Sequence, residues 1–278
     1  MRGQASCPEV QEITLPERST RENLLLKSSA DPSAILHEQL AYYRARASEY
    51  DEWWLREGRY DRGPELKARW LAEAAVVKAA LERFRPAGRV LELAAGTGIW
   101  TEQLARSADR LTAIDASREM LEINAARVGS PAVRYVEADL FRWHPGPDER
   151  YDLVFFGFWL SHVPPERFTE FWQIVEGSLA PQGRVFFVDS LRQEASTAVD
   201  HVLPEPTATV LQRRLNDGRQ FRIYKIFYDP AELRARLRAL GWQFDVRRTG
   251  NYFMYGWGSL GAVGRPGWLE DAEGHKIP

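Results

Sequence analysis

From Ala34 to Trp54, apolar and aromatic residues return every three or four positions: Leu36, Leu40, Tyr43, Ala47, Tyr50 and Trp54. That spacing predicts an amphipathic helix. A second helix is expected over 64–84, opened by Pro64 and closed before Pro86-Ala87-Gly88. Beyond residue 88 the period shortens. Arg89 to Leu93, Arg110 to Ile114, Val133 to Glu137, Tyr151 to Phe156 and Arg184 to Val188 are short strand-like runs. Helical patterns over 99–107, 117–127 and 166–179 lie between them. Strands alternating with helices predict an α/β fold with a doubly wound parallel sheet, covered on both faces.

After Ser190 the pattern is less regular. A polar stretch runs to about 218, followed by a strand-like Phe221 to Tyr228 and a helix from Pro230 to Gly241. Trp242 to Arg248 and Tyr252 to Trp257 are then joined by Thr249-Gly250-Asn251, a plausible hairpin turn, so the final strand is expected to be antiparallel. Residues 1–33 are polar around one apolar cluster, Leu24 to Leu26, and read as a disordered extension or as a strap. The tail over 261–278 reads as irregular.

Composition narrows the class. With 278 residues, 44% of them hydrophobic and ten tryptophans, the chain is globular rather than disordered, collagenous or a coiled coil. Its 37 basic and 39 acidic residues give a net charge of -2, which supplies no overall pull toward nucleic acid. The one cysteine, Cys7, allows neither an intramolecular disulfide nor a structural zinc set, and no metal is expected. The N-terminus lacks the apolar run of a signal peptide, and no stretch is long and apolar enough to span a bilayer, so a cytoplasmic protein is expected. Only five of the 37 basic residues are lysine, and arginine suits carboxylate and phosphate ligands better.

The candidate chemistry sits where the first strand runs into Ala94-Ala95-Gly96-Thr97-Gly98. Glycines there let a ligand approach the backbone, and the helix that follows offers free N–H groups. A dinucleotide fingerprint requires a third small residue, but Ile99, Trp100 and Thr101 follow Gly98. Simple NAD binding therefore loses ground. Each of the first three strands also carries an acid at or near its end: Glu92, Asp115 and Asp139. In an open parallel sheet all three line one crevice outside the carboxyl ends of the strands. A carboxylate after the second strand can take both hydroxyls of a ribose, each such bond contributing about 1.5–3 kcal/mol.

These residues, taken together, resemble the class I S-adenosylmethionine-dependent methyltransferases over about 42–258. Glu92-x-x-x-Gly96-x-Gly98, with Ala94 and Thr97 inside it, resembles the loop around the methionine part of the cofactor. Asp115-Ala116-Ser117-Arg118-Glu119-Met120 resembles the ribose motif, with the later Met against adenine. Ala138-Asp139-Leu140 resembles the adenine-amine motif, and Leu179-Ala-Pro-Gln-Gly183 the turn into the fifth strand. The resemblance implies S-adenosyl-L-methionine as cofactor, with Phe156 and Gly157 completing its site. It implies a Rossmann-like, mostly parallel seven-stranded sheet over 86–260, a helical lid over 34–85 and a substrate cover inserted over 191–218. Ala94 departs from the pattern, standing where the family often has its first glycine; a methyl group fits there if φ is negative.

The implied reaction moves a methyl group from a sulfonium to an O, N, C or S nucleophile. Alignment supplies most of the catalysis, about 7–11 kcal/mol, and a base is needed only when the nucleophile must lose a proton. The acceptor is expected above the fourth and fifth strands, near Phe158, Trp159 and Asp189, with Tyr50 and Trp54 reaching in from the lid. His162 is the candidate general base; the alternative is that it orients the following helix through a backbone contact. Arg44, Arg46, Arg56 and Arg62 read as surface charge or as receivers of an anionic substrate. The expected activity is methylation of a small-molecule oxygen, the hydroxyl or carboxylate of a metabolite, lipid acid or modified peptide. The alternatives are an RNA or protein methyltransferase and a non-catalytic or redox nucleotide-binding protein. No nucleic-acid partner or membrane span is expected, and the chain reads as a monomer or homodimer.

Overall fold

A computed structural model describes residues 32–203 and 205–261, with the backbone of 269–270 and 276–277. The expectation for the N-terminal extension lies outside these residues, except that Pro32 and Ser33 open the first helix. Most of the tail lies outside them too, although Leu269–Glu270 pairs antiparallel with Lys276–Ile277.

Seven strands form the main sheet: β1 (Arg89–Leu93), β2 (Arg110–Asp115), β3 (Val133–Glu137), β4 (Tyr151–Gly157), β5 (Leu179–Ser190), β8 (Trp242–Arg248) and β9 (Phe253–Leu260). Their order is β3-β2-β1-β4-β5-β9-β8. The first five strands pair in parallel, and β9 runs against both β5 and β8. The last strand in sequence is thus antiparallel, as expected, but it sits inside the sheet and leaves β8 at the edge. Strand order reverses between β1 and β4, which puts the topological switch point above Leu93 and Gly157.

Period-two alternation sorts the core onto two faces. Leu91, Leu93, Phe156 and Phe187 pack under α6 (Phe168–Ser178) and α7 (Pro230–Ala239), against Phe171, Trp172, Leu233 and Leu237. Val90, Phe155 and Phe186 face α3 (Pro64–Phe84), against Trp70, Val77, Leu81 and Phe84. Registered pairs stack across β4 and β5 on both faces: Phe155 with Phe186 at 6.1 Å and Phe156 with Phe187 at 5.7 Å. Helix α3 fills the span expected from the sequence, yet it is a layer of the core rather than part of a lid.

The expected helix over 34–54 is broken. It becomes α1 (Pro32–Arg46), a 3-10 turn over Ala47–Glu49 and α2 (Tyr50–Leu55). The bend turns Trp54 into the core while α1 crosses above the strand ends. The expected helix over 99–107 is regular only in α4 (Thr101–Leu104), although helical hydrogen bonds run from Glu102 N to Gly98 O and from Ala108 N to Leu104 O. Helix α5 (Arg118–Val128) starts one residue later than expected because Ser117 caps it, accepting from Met120 N at 3.2 Å.

A second sheet forms between an unforeseen strand in the polar stretch and the strand expected from Phe221. β6 (Val210–Arg214) and β7 (Gln220–Tyr224) make a hairpin apart from the main sheet, with Leu211, Leu215 and Ile223 closing on Tyr42 of α1. The strand-like run expected to reach Tyr228 stops at Tyr224, and Ile226 N instead donates to Ser161 O at 2.8 Å. Glu38 of α1 accepts from Arg222 N at 2.6 Å, and Gln39 from Tyr224 N at 2.9 Å. Helix α1 and this hairpin together roof the carboxyl ends of the strands. No helix among the described residues is long and apolar enough to cross a membrane.

Candidate functional site

The turn after β1 is held by its neighbours. Gly98 has φ +91°, and a Cβ there would meet Asn124 Oδ1 at 2.7 Å, so α5 approaches only because the side chain is missing. Asn124 uses that closeness, donating to Gly96 O at 3.2 Å and Thr101 Oγ1 at 2.8 Å. Ala94 has φ +53°, so the condition under which a methyl group fits there freely is not met. It occupies the left-handed region with a methyl group, at a cost of roughly 1–2 kcal/mol.

Asp115, at the end of β2, accepts from Gly96 N and Ser117 N, both at 2.9 Å. Burial raises its pKa and these N–H donors lower it, the net shift being upward. Above it lies a cavity of about 320 Å³, large enough for a small organic ligand. Ala94, Gly96, Asp115, Ala116, Met120, Asp139, Leu140 and Gly157 all line it, as do Tyr50, Phe158, Trp159 and His162. Leu36 and Leu40 of α1 close it from above, and Phe141 and Arg142 from beyond β3. Arg44 ties the roof to the floor, donating to Ala116 O at 3.1 Å.

A smaller space of about 20 Å³ continues beneath the turn, bounded by Glu92, Thr97, Trp53 and Trp100. Glu92 is buried, its Oε2 has no hydrogen-bond partner, and burial pushes its pKa up to about 8. An unpartnered carboxylate oxygen beside an open glycine turn fits a ligand carrying a cationic donor. Asp115 and Asp139 on the adjoining wall fit one carrying hydroxyl and amino groups. S-adenosylmethionine has all three, so the residues present fit it.

Behind α1 lies a third space, of about 60 Å³, with a different character. Arg46, Arg213 and Lys225 reach it, together with Tyr42, Tyr60 and His201. Tyr43, Tyr50, Phe158 and His162 are shared with the large cavity and form the common wall. Arg46 is 9% exposed and Arg213 half-buried, and neither is paired with a carboxylate among the described residues. Arg46 donates to Tyr60 Oη at 3.1 Å and lies 4.8 Å from the Tyr50 ring. Lys225 donates to Ser161 Oγ at 2.8 Å and Ser190 Oγ at 3.0 Å, and pairs with Asp189 at 3.4 Å. Burial pulls the Lys225 ammonium below its ordinary range, with Asp189 holding it up.

Five expected site residues stand elsewhere. Phe156 is fully buried on the opposite face, against Phe171 and Trp172, because the alternation of β4 turns it away from the cavity. Trp54 is packed among Trp70, Trp100 and Phe253. Asp189 is 1% exposed and serves as counter-ion to Lys225, also accepting from Ser161 N at 2.8 Å. Gly98 and Ser117 shape the turn and cap α5 without lining the cavity. The cationic pocket was the part least visible in sequence. Arg46 stands among four arginines read as surface charge or as receivers of an anionic substrate and Arg213 within the expected substrate cover, whereas nothing in the sequence singles out Lys225.

Residues 90–183 match the family model for a methyltransferase domain. Two solved structures, the DhpI-SAH and DhpI-SAM-HEP complexes, are 40% and 42% identical to this chain. They cover 82% and 81% of it, and it covers 98% and 97% of them, with TM-scores of 0.64. The ubiquinone biosynthesis O-methyltransferase of Xanthomonas axonopodis pv. citri is 33% identical over 172 residues, 59% of this chain. The chain spans 66% of that relative's length, and 63% of its counterpart from Xanthomonas euvesicatoria pv. vesicatoria. A glycine turn under an acid-lined cavity at the switch point of a 3-2-1-4-5 sheet, with relatives alike over nearly their whole length, has one reading: the chain belongs to the class I S-adenosylmethionine-dependent methyltransferases.

Proposed function

We propose that this protein methylates an oxygen of a small acceptor that carries an oxyanion, such as a carboxylate or an organic phosphate. Two cations without carboxylate partners among the described residues, Arg46 and Arg213, carry this reading. Arg46, buried without a counter-ion, carries a cost of several kcal/mol that an anionic ligand reached also by the half-buried Arg213 would remove. The space beside them is the size of a headgroup. Its 60 Å³ holds roughly four or five water-sized spheres, room for a small charged group. Oxygen as the methylated atom is supported by the relatives named as O-methyltransferases.

When bound, S-adenosylmethionine supplies a methyl group on a sulfonium, which departs as a thioether once an oxygen lone pair takes the methyl. Glu92, Asp115 and Asp139 would hold the cofactor in the large cavity. Arg46, Arg213 and Lys225 would hold the acceptor's charge behind the shared wall, leaving its free oxygen toward the large cavity. An oxyanion has no proton to lose, and positioning then supplies the rate enhancement without a base. Helix α1 and the β6–β7 hairpin cover the acceptor space, Arg46 from one and Arg213 from the other.

The test is a screen for S-adenosylhomocysteine release with carboxylic acids, organic phosphates, neutral phenols and amines. Anionic acceptors are expected to turn over. Arg213→Gln is expected to raise their KM by about tenfold or more, with cofactor affinity unchanged. Turnover confined to neutral phenols or amines, indifferent to Arg213→Gln, would remove the reading.

A further inference from the structure

The His162 ring sits in the wall between the two cavities with its hydrogen positions dictated by its neighbours. Nδ1 lies 2.6 Å from the Tyr224 carbonyl oxygen, which has no proton to give, so Nδ1 carries the hydrogen and donates it. A neutral imidazole then has a bare Nε2, and the Tyr43 hydroxyl, 2.8 Å away, donates to it. Gln39 fixes the surrounding backbone, donating to His162 O at 3.3 Å and accepting from Tyr224 N at 2.9 Å. The groups facing the ring are Tyr43 and Arg46 of α1, Arg213 of β6 and Lys225. None is an anion. Burial and these cations hold the imidazole well below the ordinary histidine range.

A consequence follows for Tyr43. Its proton is committed to His162, so toward the cavities its oxygen offers lone pairs only. A ligand group meeting that oxygen must be a donor, although the rest of the pocket calls for an anion. We propose that Tyr43 selects acceptors bearing a hydroxyl or ammonium group next to their oxyanion, and that His162 is the positioning residue that sets Tyr43's hydrogen. This rests on the anionic-acceptor reading above. It also replaces the expectation of His162 as a general base, because the lone pair a base would use is already taken by Tyr43.

Two measurements on the full chain test it. Nitrogen-15 NMR of His162 reads the tautomer without any need for turnover, and the neutral Nδ1–H form is expected from about pH 5.5 to 8. The kinetic arm compares a hydroxy acid with the same acid lacking the hydroxyl. The wild type is expected to favour the hydroxy acid by about tenfold in kcat/KM, with Tyr43→Phe erasing the preference. His162→Gln, whose amide can both donate to Tyr224 O and accept from Tyr43, is expected to keep it, and His162→Ala to lose it. The wild-type rate is expected to show no ionisation near pH 6.5. An imidazolium or Nε2–H signal overturns the proposal. So does an anion that turns over without the preference, or an inactive His162→Gln beside a wild-type limb near pH 6.5. Turnover of neutral acceptors alone, with the tautomer as stated, overturns the anionic reading instead.

Discussion

Thr97 Oγ1 donates to Asp51 Oδ1 at 2.6 Å, joining the glycine turn to helix α2 across 46 residues of sequence. The same carboxylate is paired with Arg127 of α5, and Arg127 reaches Thr97 Oγ1 at 3.3 Å. One aspartate thus fastens α2, the continuation of the roofing helix α1, to the turn and to the helix behind it. Asp51→Ala is expected to loosen that roof and weaken cofactor binding by about tenfold, since hydrogen bonds to charged groups contribute roughly 1.5–3 kcal/mol. Calorimetry gives the affinity and stopped-flow displacement the off-rate, where the loss is expected to lie. An unchanged off-rate would show that the roof is held elsewhere.

Glu92 gives a pH dependence whose sign can be worked out. Its folded pKa of about 8 lies above the ordinary 4.5, so between those values the folded chain keeps a proton that the unfolded chain releases. Its contribution to stability is full below about pH 4.5 and falls as pH rises toward 8, at about 1.4 kcal/mol per unit at most. Glu92→Gln removes this loss. In thermal melts without cofactor, the variant is expected to match the wild type near pH 4.5 and to exceed it increasingly up to pH 8. The same substitution is expected to weaken cofactor binding, a trade of function for stability. A gap independent of pH would contradict the assignment.

Glu73 has a purely structural role. From α3 it accepts from Asn251 N at 2.9 Å, Asn251 Nδ2 at 2.6 Å, Tyr252 N at 2.8 Å and Thr249 Oγ1, holding the turn between β8 and β9. These donors hold its carboxyl below the ordinary range against the opposing effect of burial. Glu73→Ala leaves several buried donors unsatisfied and is expected to cost about 3 kcal/mol, seen as a fall in Tm of roughly 6–12 °C. Cofactor affinity of the remaining folded protein is expected to be unchanged.

Ala94 predicts the opposite direction. Glycine at this position relieves a left-handed methyl at roughly 1–2 kcal/mol but adds about 0.5–1 kcal/mol of unfolded-state entropy. Ala94→Gly is therefore expected to raise Tm by a few degrees at most, about 2–4 °C per kcal/mol gained. A marked fall in Tm would mean that the methyl contributes packing that outweighs its backbone cost.

Much of the sheet could be read directly from residues. Val90 to Leu93 are buried on both faces of a central strand, and such strands are continuous apolar runs that local sequence reveals. The glycine turn and its acids were legible for the same reason: Gly96, Asp115 and Asp139 each stand at a strand end, a position that pattern alone fixes. The outer hairpin was not. Val210 to Arg214 carries too few apolar residues to announce a strand, and it forms one because Tyr42, far away in sequence, covers Leu211.

The sequence by itself determined the fold class through short-range period and spacing, and its resemblance to a known family implied the cofactor. The tertiary structure alone decided which side chains share the cationic space behind α1. Arg46, Arg213 and Lys225 come from three separate segments, and only the crossing of α1 over the hairpin brings their charges to one space. Phe156 and Trp54 look like site residues until strand alternation and a helix bend turn them into the core. His162, the candidate base in the sequence, meets a carbonyl on one ring nitrogen and a tyrosine hydroxyl on the other only once the chain has folded. A side chain's protonation is set by what surrounds it, and those surroundings exist only once distant segments have met.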